Sequence, residues 1–474
     1  MIIKNLRNFS KLIISLILLI SLTYFIYSLQ ILTSFPSYSS SNQSPNIYPF
    51  HQSQPIPESK TNLSHIVFGI AGSAQLWNHR KNYVKVWWRP NQMRGAVWLD
   101  KELNNKTSIV DDDHSLPQIK ISSDVTTKFK SRNLIAIRIS RIVLETFKLG
   151  FHDVRWFVMG DDDTVFIIDN LVRVLAKYDH NQLYYIGSSS ESHAQNIHFN
   201  FGMAYGGGGF AISYPLAKVL ETKLGNCIRT YPNLVTSDSL IHACMAEIGV
   251  PLTREPGFHQ IDVYGNILGL LMAHPIQPFI SLHHLDKVNP IFPNMDRIKS
   301  LQKLQIPAKL DSAGLMQQSI CYDKANSWTV SVSWGYAVQI IRGIVPARDM
   351  EIPERTFLDW RKRADIKGYS INTRPSSRNP CQRPFFYHLS NASFDSKTNR
   401  TASEYVSHQL GNPKCNWRMD DSSMIDRVQV YKVPDPFLWD KPPRRNCCRV
   451  MPAKKKGTMV IDVGPCIADE IINV

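Results

Sequence analysis

The residues best suited to chemistry stand in RWFVMGDDDTVFI, residues 155–167. A hydrophobic run that reads as a strand ends on Asp161, Asp162 and Asp163. Three adjacent carboxylates repel one another, and a buried carboxylate without a partner is costly, so positive charge must sit nearby. An Asp-x-Asp at a strand end suits a hard divalent cation, Mn²⁺ or Mg²⁺, which can bridge to phosphate oxygens. A helix-capping cluster before TVFIIDN is the structural alternative. A second triplet, Asp111–Asp113 in SIVDDDHSLP, follows no strong strand and reads as a solvated loop.

Three further stretches follow. Gly206–Gly209, in NFGMAYGGGGFAIS, carry no side chains, so backbone can approach a ligand closely. The run lacks the Gly-Lys-Ser/Thr ending of a phosphate-binding P-loop. Asp238, in VTSDSLIHACMAEIG, opens an amphipathic helix, either as its N-cap or as a general base. His259, in PGFHQ, could lend an imidazole to the same cation, and His283 or His284 in HPIQPFISLHHLD is an alternative.

The elements around these residues alternate. HIVFGIAGSA, GAVWLD, QIKIS, RWFVMG and LYYIGSS read as strands. AQLWNHRKNYVKVWWRP, SRNLIAIRISRIVLETFKLG and IDNLVRVLAKY read as helices, the second with Ile135, Ile139, Ile142, Val143 and Phe147 on one face. This order predicts an α/β fold with a mostly parallel sheet, whose ligands bind beyond the carboxyl ends of the strands. Asp161–Asp163 lie there.

The rest of the chain sets the context. Residues 12–32 are apolar, with Lys4, Arg7 and Lys11 before them, which predicts a membrane-spanning signal anchor with residues 1–11 cytosolic. A cleaved signal peptide is the alternative. Residues 33–62, rich in Ser, Pro, Gln and Asn, read as a lumenal stem. Sequons at Asn62, Asn105, Asn391 and Asn399 agree, with a weaker one at Asn42. So do eight cysteines without a CxxC pair, which favour disulfides over a zinc ribbon, adjacent Cys447 and Cys448 taking different partners. The net charge of +15 is scattered, apart from KPPRRNCCRVMPAKKK, so no nucleic-acid partner is expected. Residues 63–300 form the predicted α/β domain. Residues 301–474 form a disulfide-containing, β-rich module in which SWTVSVSWGYAVQI reads as a strand. Its Trp328, Trp334, Trp417 and Trp439 are core residues or sugar-stacking platforms.

The ordered set RWFVMGDDDTVFI, GGGGFAIS, TSDSLIHACMAEIGVPLT and GFHQID resembles the Fringe-like inverting β-1,3-glycosyltransferases. The wider pattern, including DPFLWDKPPRRNCCRV and VIDVGPC, resembles their plant Fringe-related group. The resemblance implies a GT-A fold, a single-pass type II protein of the Golgi membrane with its catalytic domain in the lumen, a UDP-sugar donor and a glycan or glycoprotein acceptor. It implies that Asp163 binds Mn²⁺ directly, that Asp161 and Asp162 contact metal waters or the donor ribose, and that His259 is the metal histidine. Asp238 matches the catalytic base, although the family's Pro-Asp-Asp reads Thr236-Ser237-Asp238 here. Gly207, Gly208 and Phe210 match the segment beside the sugar, and Ala71, Gly72 and Ser73 lie near the uridine. A catalytically silent glycan-binding protein on the same fold, and a metal-dependent phosphohydrolase, are the competing readings.

Overall fold

The computed structural model describes residues 15–28, 60–103, 114–129, 133–408, 415–416, 421–467 and 470. Asp111–Asp113, Asn42, Asn105, Trp417 and most of the stem lie outside them. Residues 15–28 are helical, with exposed apolar side chains such as Leu16 and Phe25. No helix among the described residues is long and apolar enough to cross a membrane. Of the expected span 12–32 only residues 15–28 are described, and its two ends lie outside the described residues.

Lys60–Val474 forms one compact unit. Its strands run β1 (Ile66–Ala71), β2 (Arg94–Leu99), β3 (Gln118–Ile121), β4 (Trp156–Asp161), β5 (Val165–Phe166), β6 (Tyr185–Gly187), β7 (Phe210–Ser213), β8 (Leu252–Arg254), β9 (Val263–Gly265) and β10 (Ser281–Leu282). Seven of these make one sheet in the order β3-β2-β1-β4-β7-β6-β8. The pairs are parallel except those of β7, which runs against β4 and β6. The expected α/β class with a mostly parallel sheet is what forms. Every residue of β1 is buried, as a strand covered on both faces requires.

The helix Leu134–Phe147 covers one face with most of the predicted stripe: Ile142 and Val143 are buried, and Ile139 and Phe147 pack against the core. Ile135 is 70% exposed, whereas Ala136, Ile137, Ser140, Val143 and Leu144 are buried. The packed side also takes in small Ala136 and Ser140, for which the apolar count alone gives no signal, and it leaves out Ile135 in the first turn. Gly150, at φ +68°, follows this helix as expected.

The β-rich module is a closed barrel of β11 (Gln318–Asp323), β12 (Trp328–Ser333), β13 (Ala337–Arg342), β15 (Phe385–Asp395), β16 (Arg400–Ser407), β17 (Arg427–Lys432), β19 (Thr458–Gly464) and β18 (Cys447–Met451). SWTVSVSWGYAVQI is two strands rather than one: β12 and β13 join through Trp334-Gly335-Tyr336, with Gly335 at φ +79°. Trp328, Trp334 and Trp439 are buried, so they serve the core and present no face to a sugar. A short strand, β14 (Phe357–Asp359), leaves the barrel to pair with β9. The helix Arg297–Leu310 contains the expected 300/301 boundary, and one hydrophobic core continues from Phe68 through Leu301 to Val330 and Ile461.

All eight cysteines are paired: Cys227–Cys244, Cys321–Cys448, Cys381–Cys415 and Cys447–Cys466. The neighbours Cys447 and Cys448 do take different partners.

Candidate active site

The triplet closes a tight turn at the carboxyl end of β4. Thr164 Oγ1 accepts the Asp161 N–H at 2.8 Å, and Thr164 N–H donates to the Asp161 carbonyl at 3.0 Å. β1 ends in register beside it, Ala71 against Asp161. The Ala71 carbonyl accepts the Asp162 N–H at 2.9 Å, and Ser73 N–H donates to Asp162 Oδ2 at 3.2 Å. Ala71, Gly72 and Ser73 therefore adjoin the triplet.

Two positive groups answer the charge problem: Arg80, which the sequence does not single out, and His283, which it offers only as an alternative. Arg80, on the helix Trp77–Trp87, reaches Asp162 Oδ1 at 2.7 Å and Asp163 Oδ2 at 3.0 Å. His283 Nε2 lies 3.2 Å from Asp163 Oδ1 and 3.6 Å from Asp161 Oδ2. β10 places it there: Ser281 pairs with Phe166 and Leu282 with Val165, so the next residue reaches the level of Thr164.

His259 does not join this group, which corrects the expected ligand set. Its Nδ1 stands 3.0 Å from Glu191 Oε1 and its Nε2 3.0 Å from His274 Nε2, so both ring nitrogens are occupied. Among the described residues, ligand atoms of Asp161, Asp163 and His283 lie within 4.8 Å of one another.

The glycine run is the floor of the site. A Cβ on Gly206 would lie 2.6 Å from Asp238 Oδ1, and one on Gly207 would lie 2.1 Å from the His283 ring. Gly208 N–H donates to Gln260 Oε1 at 2.6 Å. Gly209 holds φ +86°. Three successive glycines thus seat Asp238, His283 and Gln260. The cap of the helix Ser237–Ile248 is Thr236, whose side chain accepts from Ser239 N–H. Asp238 lies inside the first turn, not at the N-cap, so its carboxylate is not spent on capping. It lines a small pocket with Asp161, Gly206 and Phe210.

The electrostatics separate the carboxylates. Burial raises Asp161 to about 7, with Asp163 and Asp238 adding repulsion and His283 opposing. Burial raises Asp162 too, against the pull of Arg80. Burial also pushes Asp163 upward, but His283 and Arg80 outweigh it and hold that carboxyl below the ordinary value. Burial lowers His283, yet Asp163 and Asp161 carry it to about 9. Asp238 is pushed up to about 6 by burial, against hydrogen bonds from Gly206 and Ser237.

The trio fits a divalent cation. Asp163 Oδ1 is buried and has no hydrogen bond, although an imidazole nitrogen stands beside it. Two carboxylates and an imidazole are a donor set that first-row divalent metals accept.

The chain's relatives among known proteins are glycosyltransferases, matched at low identity and over part of their length. A family profile described as "Protein of unknown function, DUF604" matches residues 195–448, just over half of the chain. Mouse beta-1,3-glucosyltransferase is 28% identical over 156 residues, 31% of this chain and 29% of that protein. The human beta-1,3-glucosyltransferase is 31% identical over 121 residues, 25% of this chain and 23% of that one. The beta-1,3-N-acetylglucosaminyltransferase lunatic fringe of Xenopus laevis is 25% identical over 179 residues, 34% of this chain and 47% of that one. The chain therefore spans under a third of the two glucosyltransferases and under half of the fringe protein. The apo crystal structure of mouse xyloside xylosyltransferase 1 aligns at a TM-score of 0.27 and 9% identity, covering 43% of this chain and 86% of that one. A likeness at that level carries no argument.

Proposed function

The chain belongs to the DUF604 family, and from that premise we propose that it is an inverting glycosyltransferase moving a sugar from a UDP-sugar to a hydroxyl of a glycan or glycoprotein. One observation carries the reading. Asp161, Asp163 and His283 converge within ligand distance at the end of β4, and Asp238 faces the pocket it shares with Asp161. The glycosyltransferase relatives support the reaction class.

Asp161, Asp163 and His283 would hold the cation, whose imidazole ligand favours Mn²⁺ over Mg²⁺. Bound there, a divalent cation neutralises a diphosphate leaving group. Arg80 holds Asp162 and Asp163 against their own repulsion. Asp238 accepts the proton of the acceptor hydroxyl, and burial raises its basicity for that task. The acceptor oxygen displaces UDP in one step, with inversion and no covalent enzyme intermediate. The β-1,3 linkage is taken from the relatives' names.

Four disulfides suit an oxidising compartment. We place the catalytic unit in the Golgi lumen, and an endoglycosidase shift at Asn391 or Asn399 checks that placement. For the function, UDP is titrated by calorimetry with Mn²⁺ and with chelator. Metal-dependent binding that Asp163→Ala abolishes is the expected result. Absence of UDP binding by folded wild type overturns the proposal.

A further inference from the structure

The carboxyl edge of the sheet continues past the triplet. Ser188–Ser190 follow β6 and Arg254 ends β8, and there a second cleft of about 590 Å³ opens. Its opposite wall comes from Arg348, Glu351–Pro353, Ser370–Asn372 and Arg445.

The two sites share a partition, residues 258–262. Gln260 binds Gly208 on the triplet side, while His259 lines the cleft. Ile261 holds φ +56°, a strained conformation for a β-branched residue. Its N–H donates to Glu191 Oε2 at 2.7 Å. Asp262 accepts the Ser190 hydroxyl at 2.5 Å, and its other oxygen lies 2.8 Å from Nδ1 of His284, the neighbour of His283. Such strain persists only where the surroundings over-determine it, and here Glu191, Ser190 and His284 do so. The partition is a built feature that sets a second binding volume beside the triplet.

The lining of the cleft defines its occupant. Leu270, Ile352 and Pro353 give apolar surface that suits the C–H faces of a sugar ring, and the serines and Gln318 give hydrogen-bonding groups. Arg445 is spoken for by Glu351. Arg254 donates to Ser189 Oγ at 2.9 Å and, like exposed Arg348, has no carboxylate partner among the described residues. Glu191 is engaged by His259 and Ile261. His274, 3% exposed, lines the cleft with its Nδ1 lacking a hydrogen bond. Two spare guanidiniums over a mixed apolar and polar floor match a sugar that bears an anion, since guanidinium recognises carboxylate and sulfate alike.

We propose that this cleft binds an anionic saccharide, gripped by Arg254 and Arg348, on the far side of the partition from the triplet. The binding does not rest on the transferase reading.

The test is calorimetry on the Lys60–Val474 unit with three probes of equal length: a hexuronic acid disaccharide, a sulfated disaccharide and a neutral one. At least tenfold tighter binding of either acidic probe is expected, and the stronger of the two names the anion. The double variant Arg254→Ala/Arg348→Ala should lose that preference while keeping its thermal midpoint. Lys454→Ala/Lys455→Ala, which removes exposed charge elsewhere, should retain it. Equal binding of acidic and neutral probes, or equal loss in both variants, overturns the proposal. UDP titrated in the same samples separates the two ideas: acidic-sugar binding without UDP binding sinks the transferase reading alone.

Discussion

His283 Nε2 lies 3.2 Å from Asp163 Oδ1, and the two residues are 120 positions apart in the chain. Their meeting depends on the four-residue pairing of β5 with β10. The histidine therefore belongs to the acidic turn as much as the aspartates do. His283→Ala should weaken Mn²⁺-dependent UDP binding tenfold or more. His259→Ala should leave that binding within a factor of two or three and lower the thermal midpoint instead, because it frees Glu191 and His274 in a buried network. Calorimetry and a thermal melt on both variants give the answer, and a reversal of the two effects would restore His259 as the ligand.

Asp238→Asn should lower kcat by about 10²–10⁴-fold with UDP affinity unchanged. With its carboxyl at about 6, Asp238 is protonated and inactive as a base below that pH. Transfer should rise through pH 6 and level off above it. A rate profile flat between pH 5 and 7.5 would argue against this base.

The glycines should not be equivalent. Gly207→Ala puts a methyl group into the buried His283 ring and should abolish metal-dependent binding in a folded protein. Gly225→Ala, inside the helix Tyr214–Thr230 with open space around it, should stabilise by about 0.5–1 kcal/mol. Urea midpoints compare the pair.

Arg80→Ala leaves Asp162 and Asp163, both 2% exposed at the side chain, without their guanidinium. The loss should be about 3 kcal/mol in urea denaturation. Mn²⁺ should raise the midpoint of this variant more than that of wild type, because it supplies the missing charge.

His388 gives a pH signature outside the site. Burial, with His408 and Lys303 nearby, depresses it to about 4 from an ordinary 6.5. The folded state therefore binds the proton less readily than the unfolded state. Stability is whole above pH 6.5, declines as pH falls, and levels off below 4. Between pH 7.5 and 5 the loss from this residue is about 2 kcal/mol. In His388→Phe that part of the decline should vanish, as urea midpoints at the two pH values will report.

Much of this molecule can be read from its residues. Strand β4 with its terminal aspartates, the glycine run and the β-rich second half all follow from local pattern. So do the two separate fates of Cys447 and Cys448. Asp238 is legible as a residue, but its place within the first turn depends on Thr236 taking the cap. Arg80 is not legible: it sits in NHRKNY among other cations, and only the packing of its helix over the β4 turn singles it out. His283 is visible in SLHHLD as a candidate. What separates it from His259 is the register of two-residue strands, too short to carry a hydrophobic period.

The barrel has an order of assembly written into it. β19 lies between β17 and β18, and β18 closes against β11, where Cys321 meets Cys448. Cys227 and Cys244 are 17 residues apart and can join early, whereas Cys321 must wait for a partner 127 residues later. At ribosomal speeds, roughly 15–60 s separate the emergence of the acidic turn from that of β19. Through that interval the surfaces that the barrel will cover stay open to chaperones and to oxidases, and for the roughly 6–25 s until Cys448 emerges a thiol at position 321 is free to choose a wrong partner.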